Sequence, residues 1–416
     1  LVILTSILII IIISSGTFIR LLNLKLSNII SAKIAIDIST ACYKNNLQED
    51  YLFFKSNNSS DLINTNTFRI EQTMAGIIAL FNLITSLIIS TFIFITLLII
   101  NMNVTFIILL VISISYLVIS SYSRKKYKIN SQIISNQSSK QIKILQESFG
   151  SIRDIILNNS YMFFIEIYTN IEKKLKFKIV DNSFLATFPK YPIELIGIII
   201  LLTLGMILKI QNFDSVFILT TIGTFAFAAQ KLLPTIQNIY FSWSSINSRM
   251  KDIEKVYETI SKETKFIKRT ARQKNFFQNF IKLDNVSFTY KNSNKSTLKN
   301  INLEIKKGER IGIVGKTGSG KSTLMSIMMA LVKPTSGRLL VDGKDINKKD
   351  DLIFKWRTEI SNVPQELFLI DDDFSKNIAF GISEQNIDIE KIMTASKKAN
   401  THEFISNTKN KYRTLV

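Results

Sequence analysis

Residues 1–19, 75–100 and 105–122 carry no charged side chain, and each run is long enough to cross a bilayer as a helix. Hydrocarbon offers no partner for backbone N–H and C=O groups, so a run of this kind must pair them internally, as a helix does. Residues 191–209 and 215–233 supply two further apolar spans. The first of these starts at Phe188-Pro189-Lys190-Tyr191-Pro192 and the second follows the turn Gln211 to Asp214. The run 1–19 has no basic stretch ahead of it and no small-residue cleavage motif, which argues against a signal peptide.

Charge is distributed as a membrane protein requires. Hydrophobic residues make up 46% of the chain, yet Lys+Arg outnumber Asp+Glu 52 to 32. Arg20, Lys25 and Lys33 follow the first span, and SYSRKKYK, 121–128, follows the third. Residues 124–190 hold twelve Lys/Arg and five Asp/Glu, whereas NMNV, 101–104, holds none. Basic residues stay on the cytoplasmic side, so the long segments are expected inside, with Leu1 and 101–104 outside. A basic balance also suits a nucleic-acid binder, but the uncharged runs speak against one, and no nucleic-acid partner is expected. Cys42 and His402 are the single cysteine and histidine, which excludes an internal disulfide and a metal cluster built from those types.

Between the spans the pattern becomes amphipathic. Residues 21–74 read as helix interrupted by SNNSSD, 56–61. Residues 124–186 read as long charged helices broken near Asn158-Asn159-Ser160. Lys262 to Gln278 is charged and aperiodic, and from Ile281 the pattern is that of a soluble α/β domain. The expected division is 1–260 for the helical membrane domain, 261–279 for a linker and 280–416 for the α/β domain.

That last domain contains IGIVGKTGSGKSTLMSIMMALV, 311–332. Ile311 to Val314 reads as a strand, Gly315 to Ser322 fits G-x-x-x-x-G-K-[ST], and Leu324 onward repeats apolar residues at helical spacing. Backbone N–H groups of such a turn curl around phosphate oxygens, and the helix that follows adds its positive end. Gly318 and Gly320 let the backbone take φ > 0 and approach a ligand closely. Lys321 supplies a charge to β/γ-phosphates and Ser322 a hydroxyl to Mg²⁺. IKLDNVSFTY and TLKNINLEI, within 281–305, read as two strands. Tyr290, 25 residues before Gly315, can stack on an adenine ring. Gln365, 44 residues after Lys321 at the end of an apolar strand, can reach Mg²⁺ or a water. Taken alone, Tyr290 reads better as an ordinary strand aromatic and Gln365 as a loop amide.

FTY, GKTGSGKST, SGRLLVDGKDI, VPQELFL and KNIAFG, in this order, resemble the nucleotide-binding domain of ATP-binding cassette (ABC) proteins. The spans resemble the six-helix exporter-type domain, with five of six present. The resemblance implies a fused permease and ATPase, an ABC half-transporter that pairs with a second half as a homodimer or heterodimer. It implies ATP and Mg²⁺ held by Gly315, Thr317, Gly318, Ser319, Gly320, Lys321, Ser322 and Thr323, with Tyr290 on the adenine and Gln365 at the metal. Catalysis would then rest on Lys321 and Gln365. The expected location is an integral membrane protein of a bacterial plasma membrane with its ATP-binding domain cytoplasmic. Short helices near Leu52 to Asp61 and Asn158 to Phe164 would dock on the cassette.

Within the family, IRLLNLKLSN, KILQESFGSIRDIIL and FAAQKLLPTIQNIY resemble flippases for lipid-linked oligosaccharides, so an amphipathic, lipid-linked substrate is expected. Lys231, with Arg20, would face the cavity between subunits and hold an anionic headgroup; snorkelling of both to the interface is the plainer reading. A peptide or drug exporter, an ATP-gated membrane regulator and a soluble P-loop ATPase acting on nucleic acid are the alternatives. The family's signature motif, Walker B carboxylates and switch histidine do not occur, and the chain reads as truncated at both ends and inactive alone. LLVDG, 339–343, has a Walker B look, but Asp342-Gly343 suits a hairpin turn. His402 reads as a surface or packing residue.

Overall fold

The computed structural model describes residues 2–262, 276–291, 293, 295–365 and 367–416. Most of the expected linker, 263–275, lies outside the described residues. The chain divides into two compact units, 1–268 and 269–416.

Unit 1 is helical. Its elements are α1 (Val2–Leu47), α2 (Tyr51–Ser56), α3 (Ser59–Asn64), a π-helical turn (Thr65–Arg69), α4 (Ile70–Ile100), α5 (Met102–Gly150), α6 (Ile152–Leu157), α7 (Tyr161–Thr187), α8 (Lys190–Ile210) and α9 (Ser215–Ile260). Five helical segments among the described residues are long and apolar enough to cross a membrane. A helix of 46 residues, such as α9, runs about 69 Å at 1.5 Å per residue, more than twice the hydrocarbon thickness of about 30 Å. The excess carries polar residues beyond the expected spans. α4 lies along α9, α5 lies against α7 and α9, and α8 against α9.

Local chemistry sets the connections. The polar NMNV link is a tight turn in which Asn101 caps α5 through Val104 N–H at 3.2 Å. Asp214 caps α9 in the same way through Val216 N–H. The far end of α9 is closed from α1, where Asn45 Nδ2 donates to the carbonyls of Thr259 (3.1 Å) and Ile260 (3.0 Å). The break expected in SNNSSD falls at Asn57 and Asn58, between α2 and α3, and a further one precedes it at 48–50, where Asp50 starts α2. The second falls at Asn158 to Ser160, with Asn159 at φ +52°. Its short helix is Ile152–Leu157, just before the expected 158–164, since Tyr161 already opens the long helix α7.

The polar extensions of α3, α5 and α9 meet at Arg69. Its guanidinium donates to Thr65 Oγ1 (2.6 Å), Asp61 Oδ1 (2.8 Å) and Ser139 Oγ (3.1 Å), and its Nε lies 3.7 Å from Asp252 Oδ1. The side chains of Arg69 and Asp252 are 5% and 2% exposed, so this is a buried ion pair. Burial pushes the Asp252 carboxyl up; Ser135, Arg69 and Arg249 pull it partly back. Burial likewise lowers the Arg249 guanidinium, which Asp252 opposes. Asp252 lies about 28 Å of helix beyond residue 233, outside the expected span. Single-residue reading of the sequence missed this cluster, because nothing in 61–69 or 245–252 marks its charges as inward.

Unit 2 contains β1 (Phe280–Phe288), β2 (Leu298–Lys306), α10 (Lys321–Met328), β3 (Ser336–Val341), β4 (Lys344–Asp345), α11 (Asp350–Arg357), α12 (Phe374–Ile378), α13 (Ile389–Lys398) and α14 (His402–Ser406). The sheet runs β2-β1-β3-β4, antiparallel throughout. Leu283, Val286, Leu339 and Val341, all at 1% exposure or less, form its core face.

Asp342 (φ +48°) and Gly343 (φ +76°) form the two-residue hairpin between β3 and β4, with Val341 opposite Lys344. The Asp342 carboxylate also accepts the N–H groups of Gln278 (2.6 Å), Asn279 (2.7 Å) and Phe280 (2.9 Å), fixing the start of β1. Partial desolvation pushes this carboxyl up, but those three donors outweigh it and hold the group below the usual range.

Gly337 is bound more tightly to its backbone. It sits at φ +84°, and an added Cβ would lie 2.3 Å from the Asn285 carbonyl oxygen, at the bulge of β1. Gly337→Ala is expected to cost well over the roughly 1 kcal/mol of an unstrained glycine change, because both conformation and space forbid it. A lowered thermal midpoint in the complete protein checks this; an unchanged midpoint contradicts it.

Candidate functional site

The segment expected to be a strand before the glycine loop is not one. Residues 311–319 have no regular structure, and Val314 is 97% exposed. A strand exists by pairing with a neighbour, and β2-β1-β3-β4 places none beside this segment. The apolar run before Gln365 is corrected for the same reason: residues 360–364 join no strand among the described residues, and Val363 is 87% exposed.

The loop itself forms as the residues require. Gly318 and Gly320 adopt φ +82° and +96°. A Cβ on Gly320 would sit 2.8 Å from Leu298 Cδ2 and 3.1 Å from the Thr297 carbonyl, so the start of β2 presses against the loop. Ser319 N–H closes the turn on the Lys316 carbonyl at 3.1 Å. Gly315, Thr317 and Ser319 complete the exposed outer course of the loop, and Ser322 and Thr323 lie in the first turn of α10. The first N–H groups of α10 have no acceptor within the helix, and the aligned peptide dipoles add partial positive charge there.

Lys321 folds back over the loop. Its Nζ donates to the carbonyls of Gly315 (2.7 Å) and Lys316 (2.9 Å). These bonds hold an exposed ammonium beside the glycine turn and the helix start. An anion with several oxygens fits such a donor set.

α11 fixes the other end of α10. Trp356 Nε1 donates to the Met328 carbonyl at 2.7 Å, and Arg357 donates to the Ala330 carbonyl at 2.5 Å. These contacts satisfy carbonyls that a helix C-terminus leaves open. The amphipathic octet DDLIFKWR was the available signal, and the sequence reading did not use it.

Tyr290 is brought to the loop. Its ring stands edge-on to Phe288, centroids 4.8 Å apart, and its hydroxyl lies 3.0 Å from Thr323 Oγ1. Gln365 is exposed and makes no hydrogen bond to the loop among the described residues; its neighbour Glu366 lies outside them. Among the described residues no group of three or more His, Cys, Asp or Glu is arranged to hold a metal ion. Arg20 and Lys231 are exposed in the single chain. His402 Nδ1 lies 2.8 Å from the hydroxyl of Tyr412, which packs with Ala379, Ile392 and Ile405.

With this geometry established, residues 298–414 match the family described as ABC transporter. The chain is 41% identical over 140 residues to the leukotoxin translocation ATP-binding protein LktB of Pasteurella haemolytica-like sp. (strain 5943B), covering 33% of this chain and 19% of that one. It is 35% identical over 188 residues to ABC transporter B family member 26, chloroplastic, of Arabidopsis thaliana, covering 43% and 26% respectively. The chain thus spans about a fifth to a quarter of these relatives. A solved structure of a bacterial Atm1-family ABC exporter with ATP bound superposes with a TM-score of 0.75 at 16% identity, covering 93% of this chain and 67% of that one. The chain thus has the fold of that exporter structure: membrane-length helices, then a segment that matches the ABC transporter family.

Proposed function

We propose that the complete protein is an ATP-driven exporter or flippase, and that this chain supplies one helical membrane domain and one nucleotide site of a two-half assembly. The observation that carries this reading is Lys321 held over a glycine turn at the head of α10, in a chain with five membrane-length helices. Gly315 to Thr323 would hold the phosphates of ATP, Tyr290 would meet the adenine, and Ser322 with Gln365 would approach Mg²⁺. When bound, the nucleotide supplies the phosphoanhydride whose hydrolysis drives transport. The chain's part is to direct N–H groups and the Lys321 ammonium at that charge, where they cost no reorganisation. The proposed setting is a bacterial plasma membrane, with the nucleotide site cytoplasmic.

The substrate we propose is an amphipathic, lipid-linked glycan, resting on the three segments that resemble such flippases. On that reading Lys231 and Arg20 would face the cavity between halves and meet an anionic headgroup. Export of a peptide or drug is the second reading, favoured by the likeness to a leukotoxin translocation protein. Vesicles carrying the complete protein separate them. Mg·ATP should drive loss of a fluorescent lipid-linked glycan from one leaflet, with no uptake of a peptide. Peptide uptake with an immobile glycan favours the second reading, and ATP hydrolysis with neither movement overturns both.

A further inference from the structure

α10 is a rod of eight residues, about 12 Å long, with the glycine loop at its head. Lys321 stands in its first turn and bonds the Gly315 and Lys316 carbonyls, so loop and helix move as one body. Where the loop's N–H groups point is therefore set by where α10 lies. The chain leaving β1 reaches the head, where the Tyr290 hydroxyl lies 3.0 Å from Thr323 Oγ1. α11 holds the tail, through Trp356 Nε1 on the Met328 carbonyl and Arg357 on the Ala330 carbonyl. A contact at the head fixes the rod's position, and a contact at the tail fixes its direction.

Two features set this tail apart from an ordinary helix end. Ala330 takes φ +52°, the left-handed conformation that glycine usually fills just past a helix, and it is buried. A residue with a Cβ keeps such a conformation only where its surroundings impose it, and here Arg357 grips its carbonyl. The second feature is that Trp356 is braced from behind. It is buried, and the Phe277 ring meets it edge-on, centroids 5.9 Å apart at 76°. Phe277 is held in its turn. Lys307 Nζ donates to its carbonyl at 3.4 Å and lies 5.8 Å from its ring centre, and the Asp342 carboxylate takes the N–H groups of Gln278 and Asn279. A series of contacts thus runs from the β3–β4 hairpin through Phe277 and Trp356 to the tail of α10. Phenylalanine or leucine would fill the same core; the indole differs in placing one directed bond on α10.

We infer that Trp356 is a positioning residue for the nucleotide: braced by Phe277, it sets the direction of α10 and with it the aim of the glycine loop at the phosphates. The inference deepens the nucleotide-site reading and rests on it. Donors aimed in advance meet a phosphate without reorganising, and a displacement of about 0.5 Å is enough to lose part of that advantage. Without the tail bond the rod can tilt about Thr323, which carries the loop's donors off the phosphates in ground state and transition state alike. The expected result is weaker binding of Mg·ATP, with turnover at saturating ATP changed little.

Trp243 and Trp356 are the two tryptophans of these 416 residues. With Trp243→Phe, and with any tryptophan outside these residues also changed to phenylalanine, the complete protein in nanodiscs carries Trp356 as its only indole. Mg·ATP should change the Trp356 emission saturably, because coupling between two sites is reciprocal. In the wild-type background, Trp356→Phe keeps a ring against Phe277 and removes the N–H. It should raise the dissociation constant for Mg·ATP about 2- to 10-fold, the range of one hydrogen bond. Phe277→Leu keeps Trp356 and loosens its brace. It should raise the constant about 2- to 5-fold, and should add little once Trp356 is already phenylalanine. A residue that merely caps the helix gives another result: a lowered thermal midpoint and fewer filled sites, with the dissociation constant of the folded protein unchanged. That result, or an emission that saturating Mg·ATP leaves unmoved, overturns the inference while the nucleotide site stands. The emission response and Phe277→Leu decide between the two if Trp356→Phe does not fold. A wild type that shows no saturable Mg·ATP binding overturns the site and the inference together.

Discussion

Replacing Lys321 with alanine is expected to abolish ATP hydrolysis by the complete protein, a loss of about 10²–10³-fold or more by comparison with removing one preorganised donor. The side chain does two things that a methyl group cannot. It brings an ammonium to the place where the glycine turn and the helix start converge, and it ties that turn together through the Gly315 and Lys316 carbonyls at 2.7 and 2.9 Å. The loss should therefore appear both in turnover and in affinity for the triphosphate. Lys321→Met separates these effects from helix stability, since methionine is as good a helix former as lysine. Both variants should insert into the membrane as the wild type does. Turnover near the wild-type rate in either one would refute the nucleotide-site assignment.

The parts of this molecule that were legible in the sequence are those whose signal is local. Apolar runs of membrane length, three of them uncharged, satisfy their backbones as helices, and α1, α4, α5, α8 and α9 follow them. The hairpin at Asp342-Gly343 was legible for the same reason, since two successive residues at φ > 0 need such a pair. The glycine loop and the helix after it also follow from residue type alone.

What was not legible depends on partners distant in sequence. Ile311 to Val314 has the composition of a strand, but composition cannot say whether a neighbour lies alongside, and none does among the described residues. Tyr290 was placed by its spacing from the loop, yet its 3.0 Å approach to Thr323 depends on the path of β1. Trp356 and Arg357 meet the end of α10 from α11, across the intervening β3 and β4 in sequence. Lys231 stands out because a charge lies in an apolar sequence, and in the single chain it is exposed. Charge along a sequence marks depth in the membrane, and only packing shows which face it occupies.

The second large effect is expected at Arg69, outside the nucleotide loop. Arg69→Met should destabilise the helical unit by about 3–5 kcal/mol, the usual result of removing one partner from a buried ion pair. The source of the cost is Asp252 at 2% exposure, more than Asp61, which at 41% can turn to water. Arg249 remains, but it already bonds Gln72 and Ser245 and is itself partly desolvated. Methionine fills most of the volume, so a cavity contributes little. The double variant Arg69→Met/Asp252→Asn removes the stranded charge and should recover most of the loss, at the expense of hydrogen bonds to Thr65 and Ser139. The pH dependence follows from Asp252, whose carboxyl burial already pushes up in the wild type. Without Arg69 that rise grows. A raised folded-state value means that the folded form takes up the proton first, so acidification through that value relieves the buried charge. The deficit of Arg69→Met should therefore be largest near neutral pH and shrink in mildly acidic buffer, whereas the double variant should show little such dependence. Thermal melts of the detergent-solubilised complete protein at the two pH values read this directly. A single variant that melts with the wild type, or a double variant no better than the single, would show that Arg69 and Asp252 do not hold these helices together through their charges.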